Sequence, residues 1–207
     1  MISTTPSIKT DFLDSKQLNI YNLLYRLISP NAAGFYKDAC QILKSHNELE
    51  STSNLVAHLL REIESAIREI LLSISELKKV PNPTTKSEER HKKELLLIFK
   101  TFNIESEPLA NLWLTEFAGK ANVILKYVHR DNLDPARPVD NNFIQIFDKF
   151  QDILLFILDR YESQYSKLDA LIFELASMEE PTEKDIDRFK TKVPNTYVNR
   201  FPPLSQV

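Results

Sequence analysis

The residues best suited to chemistry lie in one short polar turn, residues 129–140. His129, Arg130 and Arg137 stand there among three aspartates, and two prolines restrict the backbone. A rigid loop that carries cationic side chains can bind an anion or a protein partner. The same side chains can instead bridge and cap helix ends through charge-assisted hydrogen bonds. Both interpretations stay open on the sequence alone.

A second group of charged residues lies along one long helix. The segment 53–77 has the spacing of an amphipathic helix, and its polar side carries Arg61, Glu64 and Arg68, with His58 at the border. Glu64 precedes Arg68 by four residues, which is the favourable order for an ion pair on a helix surface. Together with the cations of the polar turn, His58, Arg61 and Arg68 are the candidate binding residues.

The histidines do not form a metal-site pattern. The four histidines stand in four separate segments, and none has a His or Cys partner at ligand spacing. His58 and Glu62 are four residues apart, but two such residues on a charged helix face are more typical of a surface than of a metal site. We therefore predict no metal ion.

Motifs of nucleophilic catalysis are also missing from the sequence. There is no Gly-x-Ser-x-Gly motif, and Cys40 has no neighbouring base. The helical pattern around Cys40 favours a buried, inert thiol. With only two glycines in 207 residues, the chain lacks the glycine-rich loops that bind phosphate groups. Because catalytic triads assemble across a fold, a hydrolase is disfavoured rather than excluded, and we predict no catalytic residue and no cofactor.

Charge and composition narrow the class of partner. The net charge is −3, whereas a dedicated nucleic-acid binder needs a surplus of Lys and Arg. Nucleic acid is therefore a disfavoured partner, although a local basic patch remains open. No apolar run reaches the ~18–20 residues of a membrane span, and the first residues lack the apolar core of a signal peptide. The single cysteine suits a reducing compartment, so we predict a cytoplasmic protein that does not enter a membrane.

The elements that must position these residues are all predicted to be helices. Apolar residues recur at steps of three and four through 53–77 and 141–176, which predicts two long helices. The second of these is either one helix or two collinear ones. On the first, the apolar side comprises Val56, Leu59, Leu60, Ile63, Ile67, Ile70, Leu71 and Ile74. We predict an all-α helical bundle of about seven helices, with a flexible segment at 1–10, one helical domain at 11–192 and an extended tail at 193–207.

Start and stop signals place the shorter helices. Ser29 followed by Pro30 predicts a cap and a first helical residue, and Asp140 predicts a cap for the second long helix. Thr85 followed by Glu88 predicts a capping box. One predicted helix runs from about 15 to 28, the helix capped by Ser29 ends at about 44, and the helix capped by Thr85 ends at about 102. A further helix begins at 106, and its pattern resumes at 123–128. The last predicted helix runs from 182 to about 192.

Four segments carry a family resemblance. They are RLISPNAAGFYKDACQIL at 26–43, NLVAHLLREIESAIREIL at 54–71, VHRDNLDPARPVD at 128–140 and VPNT at 193–196. In combination they resemble the start of a family of large, uncharacterised bacterial proteins. The resemblance implies a helical N-terminal region of a longer chain and implies no activity. This chain ends at Val207, which leaves a fragment, a truncated gene and a stand-alone version as alternatives.

A second resemblance is to the HEPN helical bundles of bacterial defence and toxin systems. The segment 61–71 is similar to an early helix of those bundles, with Glu64, Ile67 and Arg68 in the matching positions. Members of that family with RNase activity use an Arg followed four to six residues later by a His, and no histidine here has that partner. The nuclease chemistry is therefore not carried over. The residues to test under this interpretation are His129, Arg130, His58 and Arg61.

These observations lead to one functional hypothesis and two alternatives. The leading hypothesis is a non-enzymatic helical interaction or regulatory module that binds a protein partner through its helix faces. One alternative is a HEPN-like, RNA-targeting toxin or an inactive relative of one. The other is a homo-oligomer in which a long helix forms the seam between two copies.

Overall fold

The computed structural model describes residues 10–46, 49–75, 87–118, 122–128, 139–178 and 182–192. Within these ranges all regular structure is helical and no strand occurs, which confirms the predicted all-α class. The α-helices are α1 Ser15–Leu23, α2 Pro30–Lys44, α3 Thr52–Ile74, α4 Ser87–Phe102, α5 Pro108–Glu116, α6 Leu125–Val128, α7 Asn141–Ala176 and α8 Glu183–Lys192.

Two caps and a π-helical segment define where α1 and α2 begin and how the chain passes from one to the other. Asp14 and Gln17 form a capping box at the start of α1, in which the backbone amide of Gln17 donates to Asp14 Oδ1 over 2.8 Å. After Leu23 the helix widens into a π-helical turn, Leu24–Ile28, which the Ser29 amide closes by donating to the Leu24 carbonyl. Ser29 then caps α2 through its hydroxyl, with Pro30 as the first helical residue, as the sequence predicts.

Helix α3 buries most of the apolar stripe that its spacing predicts, with Leu59 and Ile70 half-buried. Ile63 and Ile67 are almost completely buried, at 0% and 1% exposure. The placement of Glu64 on the polar side was wrong, because Glu64 is only 6% exposed. Glu64 follows Leu60 by four residues and precedes Ile67 by three, so it lies beside the apolar stripe rather than opposite it.

Helix α7 is one continuous helix, which decides between the two alternatives left open by its sequence. Asp140 caps it as predicted, because Asp140 Oδ1 accepts a hydrogen bond from the Phe143 amide over 2.7 Å. Its apolar side is buried over the first six turns, and the Phe143 ring meets Tyr127 edge-on at 4.7 Å between centroids.

The chain divides into two compact units, and both long helices contribute residues to each of them. The first unit comprises Met1–Ala66 and Val123–Leu154, and the second comprises Ile67–Asn122 and Leu155–Val207. The prediction of a single domain over 11–192 stays a prediction. The predicted tail at 193–207, and the predicted flexible segment except for Thr10, lie outside the described residues.

Each unit has its own aromatic core. In the first, Tyr36 stacks on Phe147 at 6.5 Å between ring centroids. In the second, Phe99 packs against Trp113 at 5.9 Å, and Phe102 meets Tyr161 edge-on at 6.2 Å. Aromatic pairs at these separations add about 0.5–1.5 kcal/mol each beyond the burial of their apolar area.

Candidate binding groove

An open groove of about 460 Å³ lies in the first unit. Its size falls in the range of pockets that hold a small molecule or the anchoring side chains of a peptide. Three segments form its walls: the start of α1, the end of α2 and the start of α7. The lining residues are Phe12, Asp14, Gln17, Cys40, Leu43, Lys44, His46, Val139, Ile144, Phe147, Asp148 and Gln151.

Helical spacing explains why these residues share one cavity. On α7, Ile144, Phe147 and Gln151 follow one another at steps of three and four, so they lie on the same side of the helix. On α2, Cys40 and Leu43 do the same. The caps at Asp140 and Asp14 fix where α7 and α1 begin, and thus where the walls of the groove start.

A short hydrogen-bond chain lies at the floor of the groove. The Gln151 side chain, 4% exposed, donates from Nε2 to the hydroxyl of the fully buried Tyr36 over 2.7 Å. That hydroxyl is also hydrogen-bonded to the Cys40 side chain. The Gln151 Oε1 accepts no hydrogen bond from any described residue. The floor therefore presents one acceptor that no described residue engages and that solvent can reach.

Burial keeps both titratable groups of the floor protonated. Desolvation, helped by the neighbouring Cys40, raises the pKa of the Tyr36 hydroxyl above its ordinary range. Desolvation also raises the pKa of the Cys40 thiol to about 12, although the hydrogen bond from Tyr36 acts in the opposite direction. The reactive form of cysteine is the thiolate, so Cys40 is inert at neutral pH, and its predicted burial is confirmed.

The rim of the groove carries charges of both signs. Lys44 Nζ donates to the Phe12 carbonyl over 3.5 Å, and His46 Nδ1 donates to the Leu43 carbonyl over 2.9 Å. Asp14 is engaged in the capping box of α1. Asp148 is exposed and has no ion pair or hydrogen bond among the described residues. The rim thus offers one unengaged carboxylate.

The candidate residues of the polar turn lie outside the described part of the chain. This applies to His129, Arg130 and Arg137. On α3, His58 is half-buried, and the exposed Arg61 donates to Glu62 Oε1 over 3.0 Å. An exposed pair of this kind contributes about 0–1 kcal/mol, so Arg61 remains accessible to a partner. The assignment of these residues to a binding site stays a prediction.

Arg68 belongs to a charge cluster in the second unit. The Glu94 carboxylate, 4% exposed, accepts hydrogen bonds from Arg68 Nη1 and from Arg90 Nε, the latter over 2.8 Å. Burial raises the pKa of Glu94, but the hydrogen bonds and charges of the two guanidinium groups outweigh it and hold that pKa below the ordinary glutamate value. Arg68 thus joins α3 to α4 through a partly buried carboxylate, which is a structural role.

In the described ranges, no three His, Cys, Asp or Glu side chains come close enough together to hold a metal ion. In the same ranges, no helix combines the length and the apolar character that crossing a membrane requires.

Comparison of the chain with protein-family models, with curated proteins and with solved structures finds no match. The resemblances described above therefore stay predictions.

Sequence reasoning missed the groove, although one signal in the sequence points to it. Gln151 interrupts the apolar stripe of α7, four residues after Phe147 and three before Leu154. A polar residue within a buried stripe must find a hydrogen-bond partner, and here that partner is Tyr36. The sequence could thus have singled out Gln151, but nothing in it indicated which helix would supply the partner.

Proposed function

We propose that this protein is a non-enzymatic helical binding module, and that the groove of the first unit holds part of a protein partner. The observation that carries the proposal is the groove itself, which combines apolar walls with an acceptor at its floor that no described residue engages. Binding sites typically combine apolar walls with a few polar groups that fix the orientation of what is bound.

Two further features favour binding over catalysis at this site. Cys40 is the only cysteine, and its raised pKa leaves it without nucleophilic character at neutral pH. Ile144 is a large apolar side chain that remains 42% exposed at the edge of the groove. An exposed apolar side chain beside a cavity is a natural contact for an anchoring residue of a partner.

Site-specific photo-crosslinking tests the proposal. A photoreactive amino acid is placed at Ile144 and, as a control, at Leu55, which lies in the same unit outside the groove and is 40% exposed. We expect a discrete crosslinked protein in source cells with the probe at Ile144 and not with the probe at Leu55. A crosslink to a second copy of this chain would show that the partner is another copy and that the protein forms a homo-oligomer through the groove. Equal crosslinking at both positions, or none, would contradict a partner in the groove.

The wider assignment rests on the sequence resemblances. We propose that the chain corresponds to the N-terminal part of a larger bacterial protein and works in the cytoplasm. The HEPN-like alternative stays a prediction, which incubation of wild type and His129→Ala with total RNA tests directly. RNA cleavage by the wild type that is lost in His129→Ala would replace the binding-module proposal.

A further inference from the structure

Two acceptors face the groove from one side of α7. Gln151 presents at the floor its Oε1, to which no described residue donates, and Asp148, three residues earlier, presents an unengaged carboxylate at the rim. Side chains three residues apart on a helix are neighbours, about 5–6 Å apart at their Cβ atoms. A single side chain that enters the groove along α7 can therefore meet both acceptors.

The wall beside these acceptors is apolar. Phe147 lies one turn before Gln151 on α7, and Leu43 and Ile144 complete the apolar lining nearby. A side chain with a long aliphatic stem and a donor-rich head matches this order of surfaces, since the stem contacts the wall while the head reaches the acceptors. Arginine has five N–H donors in a planar head that can serve two acceptors at once and can lie against an aromatic ring.

We propose that the anchor of the protein partner is an arginine side chain, flanked by apolar residues and held by Gln151 Oε1 and the Asp148 carboxylate. This inference rests on the proposed function. An acidic anchor is disfavoured because it would face the Asp148 and Asp14 carboxylates and the Gln151 oxygen. The rim also carries the cation Lys44, which donates to the Phe12 carbonyl and stands against two carboxylates, Asp14 and Asp148.

Fluorescence anisotropy with defined peptides tests the inference. The probe is a fluorescein-labelled Ser-Leu-Arg-Leu-Ser peptide, compared with the same peptide carrying norleucine or glutamate in place of the arginine. The protein variants are Asp148→Asn and Asp148→Lys, with Asp38→Asn as the matched control. Asp38 is an exposed aspartate of α2 that does not line the groove. Since Asp148 is exposed, its replacement leaves the fold intact.

We expect the arginine peptide to bind wild type at least about fivefold more tightly than the norleucine peptide, because the norleucine side chain has no donor for either acceptor. We expect Asp148→Asn to lower the affinity for the arginine peptide by about fivefold and Asp148→Lys to lower it further. Asp38→Asn should leave that affinity unchanged.

Four results would overturn the inference. They are equal affinity for the arginine and norleucine peptides, tighter binding of the glutamate peptide, no binding of any peptide, and an affinity for the arginine peptide that the Asp148 variants leave unchanged. None of them decides the proposed function, which depends on the crosslink at Ile144. A crosslinked partner combined with indifference to Asp148 would mean that the groove is used with a different anchor.

Discussion

Replacement of Tyr36 by phenylalanine tests the hydrogen-bond chain on which the groove is built. The variant removes a hydroxyl that is fully buried, accepts from Gln151 Nε2 over 2.7 Å and contacts Cys40. Phenylalanine keeps the ring and its stacking on Phe147. The measured change therefore reports the hydroxyl and not the packing.

The size of the effect follows from the burial of both partners. A typical hydrogen bond contributes about 0.5–1.5 kcal/mol, and a buried donor left without a partner costs about 1–3 kcal/mol. Gln151 is 4% exposed, yet it lines an open groove through which water can reach it. We therefore expect Tyr36→Phe to lower the free energy of unfolding by about 2 kcal/mol, which corresponds to a drop in Tm of about 4–8 °C for a chain of this length.

A double-mutant cycle separates the hydrogen bond from other effects. Gln151→Leu alone should cost about 1 kcal/mol, because the Tyr36 hydroxyl keeps its bond to Cys40. The double variant should be about 1 kcal/mol more stable than the sum of the single changes predicts, since neither partner is then left unsatisfied. Urea unfolding followed by far-UV circular dichroism gives all four values.

Tyr25 provides the control for this cycle. It is 51% exposed on the turn that follows α1, so Tyr25→Phe should change the free energy of unfolding by less than about 0.5 kcal/mol. Two results would refute the hydrogen bond between Tyr36 and Gln151. The first is that Tyr36→Phe changes the free energy of unfolding as little as Tyr25→Phe does, and the second is that the changes caused by Tyr36→Phe and Gln151→Leu simply add in the double variant.

Three further predictions concern single residues. Glu94→Gln should lower the free energy of unfolding by about 1–2 kcal/mol at neutral pH, between the values for exposed and buried ion pairs. Because the pKa of Glu94 is lowered in the folded state, its stabilisation is present above the ordinary glutamate pKa and is lost as the pH falls through the lowered value. The difference in free energy of unfolding between wild type and Glu94→Gln should therefore shrink in acid. A difference that grows as the pH falls would contradict the assigned ion pairs. Cys40 should react slowly with Ellman's reagent in the native protein and rapidly in urea, whereas rapid native labelling would contradict its burial and raised pKa. Asp140→Ala should lower the free energy of unfolding by about 1 kcal/mol, because the cap on α7 is lost. Thermal unfolding measures this change, with Asp38→Ala as a neutral control. Equal stability of the two variants would refute the cap.

The local rules predicted the helices well. Ser29 with Pro30, Asp140 and the three-and-four spacing of α3 and α7 depend only on neighbours in sequence, and the structure has each of these features. The π-helical turn Leu24–Ile28 was missed because it continues a helical pattern and differs only in which carbonyl each amide reaches.

Burial of charged residues could not be predicted in the same way. Glu94 stands among charged residues in the sequence, yet it is buried because Arg68, 26 residues earlier, and Arg90 both reach it. The groove likewise depends on which ends of α1, α2 and α7 come together. Periodicity defines the buried side of a helix but does not specify the neighbour that covers it or the gap that remains between neighbours.

Methyl-resolved NMR of the full chain with the arginine peptide tests the binding role of the groove most directly. We expect the methyl signals of Leu43, Val139 and Ile144 to shift when the peptide is added. The signals of Leu55 and Leu96 should stay in place, although these side chains are 40% and 48% exposed, because they lie outside the groove. Shifts that are largest at Leu55 or Leu96, or that are absent from the groove, would contradict the central claim that this groove holds an arginine anchor.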